Sequence, residues 1–192
     1  MLEEEYAPRR RLPRHLRPES VVEAPFEYSL RGVRATDLPH IREIYNYYVA
    51  NSTVTFDEDA MSLAEWRDKF YYLNKQGMPF IVAVSPAEQI LGYALVTPWK
   101  QKKAYRFTVE NSIYLGAAST GKGLGRVLLG ELIQRSTAAG LKEIIAVIAD
   151  QGADASIKLH RDFGFAEIGR MGKVGFKFER WLGTVLLQKS LK

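Results

Sequence analysis

The sequence predicts a mixed α/β fold in which helices flank a central β-sheet. Runs rich in β-branched and aromatic residues alternate with segments that carry apolar residues at helical spacing. The continuous apolar run at residues 143–149 is typical of a strand buried on both faces. The length of 192 residues suits one such domain, large enough to bury a sizeable core.

The predicted elements follow the order β-α-α-β-β-β-α-β-α-β-β. Each strand is a short run rich in Val, Ile, Leu, Tyr and Phe, and turn residues separate several of these runs. The predicted strands cover residues 28–34, 80–84, 90–96, 105–115, 143–149, 165–171 and 181–188.

Four helices are predicted from apolar periodicity and from capping residues. Thr36 places a hydroxyl before an early-turn proline, Pro39, and is expected to cap the first helix. Ser62, with Glu65 at capping-box spacing, is expected to begin the second helix. The last two helices are expected at residues 123–139 and 153–163.

Residues 1–28 are predicted to be a poorly ordered extension, because four prolines and mixed charges fall there. The globular domain is expected at residues 29–192. Five arginines in the extension form either a solvated arm or a segment for nucleic acid or an acidic partner. The solvated arm is favoured, because no aromatic residues interleave with them as single-strand binding requires. These are Arg9, Arg10, Arg11, Arg14 and Arg17.

Composition excludes several classes of protein. The chain has no Cys and only three His, so no disulfide, thiolate zinc site or cysteine nucleophile exists and no metal site is expected. No apolar run approaches the roughly 18 residues that a membrane helix needs, and no apolar segment of a secretory signal is seen. We therefore expect a cytoplasmic protein that binds neither membrane nor nucleic acid.

The segment that carries most chemistry is residues 120–126, Thr-Gly-Lys-Gly-Leu-Gly-Arg, between a predicted strand and a predicted helix. Its glycines let the backbone approach a ligand closely and leave N–H groups bare. The helix N-terminus adds a partial positive charge, so the segment predicts a cradle for an anion such as a pyrophosphate. Its spacing is neither that of the P-loop nor that of the dinucleotide fingerprint. The alternative is a flexible turn before a helix.

This segment resembles the motif Arg/Gln-x-x-Gly-x-Gly/Ala of the GNAT superfamily of N-acetyltransferases. The resemblance implies an acetyltransferase-type mixed sheet and acetyl-CoA as cosubstrate, held by the loop and by the backbone edge of the preceding strand. Thr120 departs from Arg or Gln, so either coenzyme binding is looser or Lys122 compensates. The implied coenzyme residues are Ile113, Tyr114, Leu115, Gly121, Lys122, Gly123, Leu124, Gly125 and Arg126.

Over about residues 31–190 the chain resembles the phosphinothricin N-acetyltransferase family, which also acetylates methionine sulfoximine and methionine sulfone. Several short motifs match in order and at similar spacing. They are Ile44-Tyr-Asn46, Thr55-Phe56, Trp99, Tyr105-Arg106, Thr108-Val-Glu110, Ser156-Ile-x-Leu-His160, Gly164-Phe165, Val174-Gly175 and Lys177-Phe-x-Arg-Trp181.

The resemblance implies direct acetylation of the α-amine of a small amino-acid-like substrate by a homodimeric enzyme. An amine arrives as an ammonium and must lose a proton before it attacks a thioester. The family places this general base at Glu110 and often has a histidine at the position of His160, where it could protonate the leaving thiolate. It places Lys100 and Lys102 against the acidic group of the substrate. Candidate pocket-wall residues are Phe56, Trp99 and Tyr105.

Each assignment has an alternative in ordinary structure. Glu110 could face solvent or pair with Arg106, and His160 could be hydrogen-bonded to the helix backbone. Lys100 and Lys102 could belong to a solvated basic loop. The docking strand could be an ordinary paired strand, and the aromatic residues could belong to the core or to a subunit interface.

Three departures from the family leave the substrate open. Phe107 and Asn111 stand where relatives often carry His, and Ala153 stands where relatives often carry an Asn that contacts the coenzyme. The rival functions, in order, are acetylation of another amine or a peptide N-terminus, a degenerate acyl-CoA-binding domain, and nucleic-acid binding through the arginines. Thr120 and Ala153 are the best support for the degenerate domain.

Overall fold

The structure is a computed structural model that describes residues 26–192. The arginines of the predicted extension lie outside the described residues. The seven strands are β1 (Ser29–Gly32), β2 (Phe80–Val84), β3 (Ile90–Pro98), β4 (Thr108–Leu115), β5 (Glu143–Ala149), β6 (Ala166–Lys177) and β7 (Arg180–Ser190). The helices are α1 (Leu38–Asn51), α2 (Leu63–Lys75), α3 (Leu124–Ala138) and α4 (Asp154–Asp162). The predicted α/β class and element order are confirmed.

The strands form one sheet in the order β1-β2-β3-β4-β5-β7-β6, in which β4 and β5 are the parallel pair. Helices α1 and α2 cover one face of the sheet, where Ile41, Trp66 and Leu73 lie in one apolar cluster with Tyr93. Helices α3 and α4 cover the other face, where Leu128 lies in a second apolar cluster. Both faces of the central strands are therefore buried, as the continuous apolar run at residues 143–149 predicts.

The capping predictions had different outcomes. Ser62 and Glu65 form the predicted capping box, with Glu65 N–H donating to Ser62 Oγ at 3.2 Å and Ser62 N–H donating to the Glu65 carboxylate at 2.7 Å. The prediction that Thr36 caps α1 is wrong. Thr36 lies in a 3₁₀ turn, and the helix begins after Asp37. The Asp37 carboxylate accepts hydrogen bonds from Arg34 N–H and from the Arg31 guanidinium, which hold this turn together.

Strand boundaries differ from the predictions by one or two residues at several ends and by more at two places. Residues 103–105 form a 3₁₀ turn, so β4 begins at Thr108 rather than at Tyr105. Strand β6 extends to Lys177, six residues past its predicted end. It continues because Phe178 and Glu179 both adopt left-handed backbone conformations and connect β6 to β7 in a tight turn. Such turns favour Gly and Asn, so Phe-Glu gave no sequence signal for it.

The sheet splits in its centre. Strands β4 and β5 pair through three residue pairs, from Thr108–Glu143 to Glu110–Ile145. Beyond Glu110, β4 continues beside β3, and β5 continues beside β7. The strands therefore diverge and open a cleft between two halves of the sheet. No helix within residues 26–192 is long and apolar enough to cross a membrane.

Candidate active site

The split between β4 and β5 forms a cavity of about 660 Å³. Ile113, Tyr114 and Leu115 line it from β4, and Ala146 to Ala149 line it from β5. From Asn111 onward, the edge of β4 that faces β5 has no strand partner within residues 26–192. A backbone edge of this kind can bind an extended ligand through N–H and C=O groups. The alternative, that this part of β4 is an ordinary paired strand, is therefore wrong.

The glycine-rich loop closes one end of this cavity. Gly121 and Gly123 have φ values of +74° and +77°, a left-handed conformation that L side chains rarely adopt. The N–H groups from Gly121 to Gly125 find no acceptor within residues 26–192. They lie at the N-terminus of α3, where the helix dipole also favours negative charge. The geometry is that of an anion cradle.

The side chains of the loop have different surroundings. Gly121 and Gly125 line the cavity, whereas the Leu124 side chain is fully buried in the core and offers only its backbone. The Lys122 ammonium lies 4.7 Å from the centre of the Phe26 ring. The Arg126 guanidinium donates to the Asp162 carboxylate at 3.2 Å. Neither cation points into the cavity in this arrangement, so the backbone amides form the cradle.

Thr120 and Ala153, the departures from the family, both line the cavity. The Thr120 hydroxyl donates to the carbonyl of Ala117 at 3.0 Å and stabilises the turn before the glycines. Ala153 occupies the N-cap position of α4 and offers no capping side chain there. Both residues therefore shape the cavity wall, and the Thr120 hydroxyl already donates its hydrogen bond within the loop.

Glu110 lies where β4 and β5 separate and lines the same cavity. Its carboxylate accepts no hydrogen bond and forms no ion pair within the part of the chain that the structure describes. Burial raises the pKa of Glu110, while the charges of Lys100 and Lys69 lower it by less. Arg106 instead donates to the carbonyl of Lys103, so it does not form the alternative pair with Glu110. A half-buried carboxylate with a raised pKa has the properties of a general base.

His160 is buried beside Asn111 and lines the same cavity as Glu110. Its Nδ1 lies 2.8 Å from the carbonyl of Ser156, which can only accept, so Nδ1 carries the proton. Its Nε2 lies 2.9 Å from Asn111 Nδ2, which donates to it. Burial lowers the pKa of His160, and the neutral ring fits these two hydrogen bonds. The backbone bond matches the alternative interpretation, and the proton-donor role of His160 stays a prediction.

The residues predicted to bind substrate are divided between two places. Phe56 lines the cavity with Glu110. Lys100, Lys102 and Tyr105 line a separate open depression of about 960 Å³. This depression lies beside the site, because Thr97 lines it and is the cross-strand partner of Glu110. The lysines form no ion pair within residues 26–192, which leaves their charges available to an anion.

The roles of three residues in this region were missed by the sequence predictions. Lys69 on α2 is half-buried and acts electrostatically on Glu110, although its position in an exposed-looking helix gave no signal. Asn111 is the hydrogen-bond partner of His160, and only the alternation of β4 could have placed it on the face toward His160. Lys177 is buried, although its neighbours along β6 are exposed. Within residues 26–192, no group of three potential metal ligands converges.

Comparisons with known proteins agree with this geometry. Residues 30–186 match the GNAT acetyltransferase domain. The phosphinothricin N-acetyltransferase of Alcaligenes faecalis is 39% identical over 85% of this chain and 82% of that protein. The L-methionine sulfoximine/L-methionine sulfone acetyltransferase of Pseudomonas aeruginosa is 42% identical over 85% of this chain and 94% of that protein.

A solved structure has a similar fold. It is the phosphinothricin acetyltransferase of Sinorhizobium meliloti in complex with acetyl-CoA, with a TM-score of 0.82 and 42% identity. The similarity covers 85% of this chain and 88% of that one. The chain therefore belongs to the GNAT acetyltransferases, in the family of the phosphinothricin and methionine sulfoximine N-acetyltransferases.

Proposed function

We propose that this protein transfers the acetyl group of acetyl-CoA to the α-amine of a small amino-acid-like substrate, such as L-phosphinothricin or L-methionine sulfoximine or sulfone. The observation that supports this most directly is the position of Glu110 at the point where β4 and β5 diverge. It lies in the same cavity as the glycine loop, whose N–H groups have no acceptor within residues 26–192. A base and an anion cradle in one cleft suit a phosphate-bearing acyl donor and an amine acceptor.

The residues of the cleft fit acetyl-CoA. The N–H groups of Gly121 to Gly125 would bind the pyrophosphate, and the free edge of β4 at Ile113 to Leu115 would bind the pantetheine arm. Acetyl-CoA supplies an acetyl group on a good thiolate leaving group. A backbone N–H of β4 is also suited to polarise the thioester carbonyl.

Glu110 removes the proton that the acceptor ammonium must lose. The neutral nitrogen then forms a bond to the acetyl carbon, the carbon–sulfur bond breaks, and the sulfur leaves with the electron pair. The second proton of the attacking nitrogen passes to this sulfur, which leaves a neutral amide and the free thiol of coenzyme A. The proton stays on Glu110 until solvent takes it. Attack is direct, because the sequence contains no Cys to carry the acetyl group. The raised pKa of Glu110 makes proton removal more favourable than an ordinary carboxylate would allow.

The cations beside Glu110 would select an acidic acceptor. Lys100 and Lys102 line the adjoining depression with Tyr105, and Phe56 lines the cleft itself. A phosphinate or carboxylate would form charge-assisted hydrogen bonds with these ammonium groups. A neutral or cationic amine would gain nothing from them. We therefore propose an acceptor that carries at least one negative group in addition to its amine.

The test is a thiol-release assay with acetyl-CoA and a panel of acceptors. The panel contains L-phosphinothricin, L-methionine sulfoximine, L-methionine sulfone, ordinary amino acids, simple amines and short peptides. We expect turnover of the first three, with an acceptor KM that rises about tenfold in Lys100→Ala as one charge-assisted hydrogen bond is lost. The exposed Lys75→Ala on α2 is the matched control.

Other outcomes would change the assignment. Turnover of peptides or simple amines alone would support a different acceptor. Binding of acetyl-CoA without turnover of any acceptor would indicate a degenerate acyl-CoA-binding domain.

We further propose that a second copy of the chain covers the β6–β7 hairpin. Large apolar side chains stand exposed there, and a patch of this kind is typical of an interface. They are Ile168, Met171, Val174, Phe176, Phe178 and Trp181. Light scattering should give twice the chain mass for the wild type and less for Phe176→Asp; a monomeric wild type would refute the dimer.

A further inference from the structure

The two halves of the sheet are connected at a second place, in addition to the β4–β5 pairing. One half contains α1, α2 and β1 to β4, and the other contains β5, β7 and β6. The β4–β5 pairing joins them through three residue pairs only. A second connection runs from β6 to the loop of residues 52–57, which links α1 to α2. Because this loop lines the cleft through Val54, Thr55 and Phe56, the connection bears on the site.

Lys177 makes this connection. Its Nζ donates to the carbonyls of Ser52 and Thr55, both at 2.9 Å. The residue is only 2% exposed, although it lies on the edge strand of the sheet. No carboxylate pairs with it within residues 26–192.

A buried ammonium is costly unless its protons are hydrogen-bonded. The two loop carbonyls provide these hydrogen bonds, and burial lowers the pKa of Lys177 while Asp57 and Glu58 raise it by less. A methionine of similar length would fill the same space without the desolvation cost. The lysine therefore contributes something other than packing, namely the position of the two carbonyls.

A second contact on β6 acts on the same loop. A Cβ added at Gly175 would lie 2.5 Å from Cδ2 of Phe56, so the Phe56 ring occupies the space next to the Gly175 backbone. Gly175 and Lys177 are two residues apart and lie on the same face of β6. Together they seat the ring of Phe56 and the carbonyl of Thr55 against the hairpin.

The other side of the loop is attached to α1. The hydroxyl of Tyr45 donates to the Asp57 carboxylate, so the Thr55 hydroxyl donates to Tyr45 Oη at 3.2 Å. The N–H of Asp57 donates to Thr55 Oγ1 at 3.3 Å. Thr55 is thus fixed to the first half of the sheet by its side chain and to the second half by its carbonyl.

We propose that Lys177 and Gly175 are positioning residues that hold the loop of residues 52–57 across the cleft and thereby set the wall against which the acceptor binds. The proposal rests on the proposed function in one respect, that the acceptor occupies the part of the cavity lined by Phe56. It predicts that loosening this contact affects the acceptor and leaves the acyl donor unaffected, because the glycine loop holds the donor at residues 121–125.

The experiment compares Lys177→Met with Lys142→Met, an exposed lysine outside the β6–β7 hairpin. Amide hydrogen exchange of the 52–57 segment is measured on the unliganded protein, and acetyl-CoA affinity is measured by calorimetry. For Lys177→Met, we expect exchange of the segment to be about tenfold faster and the acceptor KM to be about tenfold higher, as for one lost buried hydrogen bond. The acetyl-CoA Kd should stay within about twofold. Lys142→Met should match the wild type in all three.

Gly175→Ala repeats the test without removing a buried charge, and it serves if Lys177→Met does not fold. Unchanged exchange in the 52–57 segment would overturn the proposal, and so would an unchanged acceptor KM. Equal losses of donor and acceptor affinity would also overturn it, because they indicate general loosening. If the wild type turns over no acceptor, the proposed function fails, while the exchange measurement still tests the contact.

Discussion

Gly123→Ala is a substitution whose effect on the free energy of unfolding can be predicted from the backbone alone. Gly123 has a φ of +77° immediately before α3, and a Cβ built there would meet no atom within 4 Å. Gly123→Ala therefore introduces backbone strain and no steric clash. A non-glycine residue in this conformation costs about 1–2 kcal/mol. We expect the free energy of unfolding to fall by this amount.

Gly130 provides a matched control in the middle of the same helix. A Cβ there would lie 3.4 Å from Cε1 of Phe163, an ordinary contact. Gly130→Ala should increase stability by about 0.5–1 kcal/mol, because alanine has the higher helix propensity. The same chemical change therefore has opposite signs at the two sites, separated by about 1.5–3 kcal/mol.

Urea unfolding of the unliganded variants measures this difference, with equal m-values required for a valid comparison. Acetyl-CoA calorimetry supplies a second readout, because a relaxed loop would redirect the amides of the cradle. We expect weaker binding by Gly123→Ala and unchanged binding by Gly130→Ala. Equal stabilities for the two variants would refute the strain argument, and undiminished binding by Gly123→Ala would refute the role of this loop geometry.

Three further predictions concern the buried polar groups and one close backbone approach. Asp37→Ala should lower the free energy of unfolding by about 3 kcal/mol in urea titrations, because it removes the acceptor of Arg34 N–H and leaves the Arg31 guanidinium with only its 3.5 Å ion pair to Glu88. Burial lowers the pKa of His160 from 6.5, so protonation favours the unfolded chain, and wild-type stability should fall as pH drops below 6.5. His160→Gln should flatten that dependence between pH 7.5 and 5.5. Gly183→Ala should lower stability by about 1–3 kcal/mol in thermal unfolding, because its Cβ would lie 2.6 Å from the carbonyl oxygen of Met171. Gly169→Ala, with no atom within 4 Å, should cost less.

Each of these predictions has a contrary outcome. A loss below about 1 kcal/mol for Asp37→Ala would mean that the pair is screened like a surface ion pair. Stability of the wild type that is level between pH 7.5 and 5.5 would contradict a lowered histidine pKa. Equal melting temperatures for Gly183→Ala and Gly169→Ala would mean that the strand moves to accommodate the methyl group.

The parts of the fold that could be predicted have local signals. Ser62 and Glu65 lie three residues apart, so their mutual hydrogen bonds can be inferred from spacing alone. Thr36 offered a similar signal, but Asp37 binds Arg31 and Arg34 and moves the start of the helix. The turn at residues 178–179 gave no local signal in the sequence, because pairing of β6 with β7 imposes its conformation.

In the candidate site, too, local features could be predicted and long-range contacts could not. The glycine loop was predictable, because helix-terminal amides are bare for local reasons. The hydrogen bond between Asn111 and His160 joins residues 49 apart and depends on how α4 packs against β4. Lys177 lies more than 120 residues from the carbonyls it binds, and the sequence pattern around it is that of an exposed strand. Contacts of this kind follow from the assembled sheet.

The central claim is that Glu110 is the general base, and the pH dependence of kcat/KM in wild type and Glu110→Gln tests it most directly. Burial raises the pKa of Glu110, so wild-type kcat/KM should fall at acid pH with a midpoint above 4.5. Glu110→Gln should abolish this inflection and reduce kcat/KM about 10²–10⁴-fold, while it keeps acetyl-CoA affinity. The surface variant Glu131→Gln should match the wild type. A Glu110→Gln enzyme that retains wild-type kcat/KM and the same acid inflection would contradict the account.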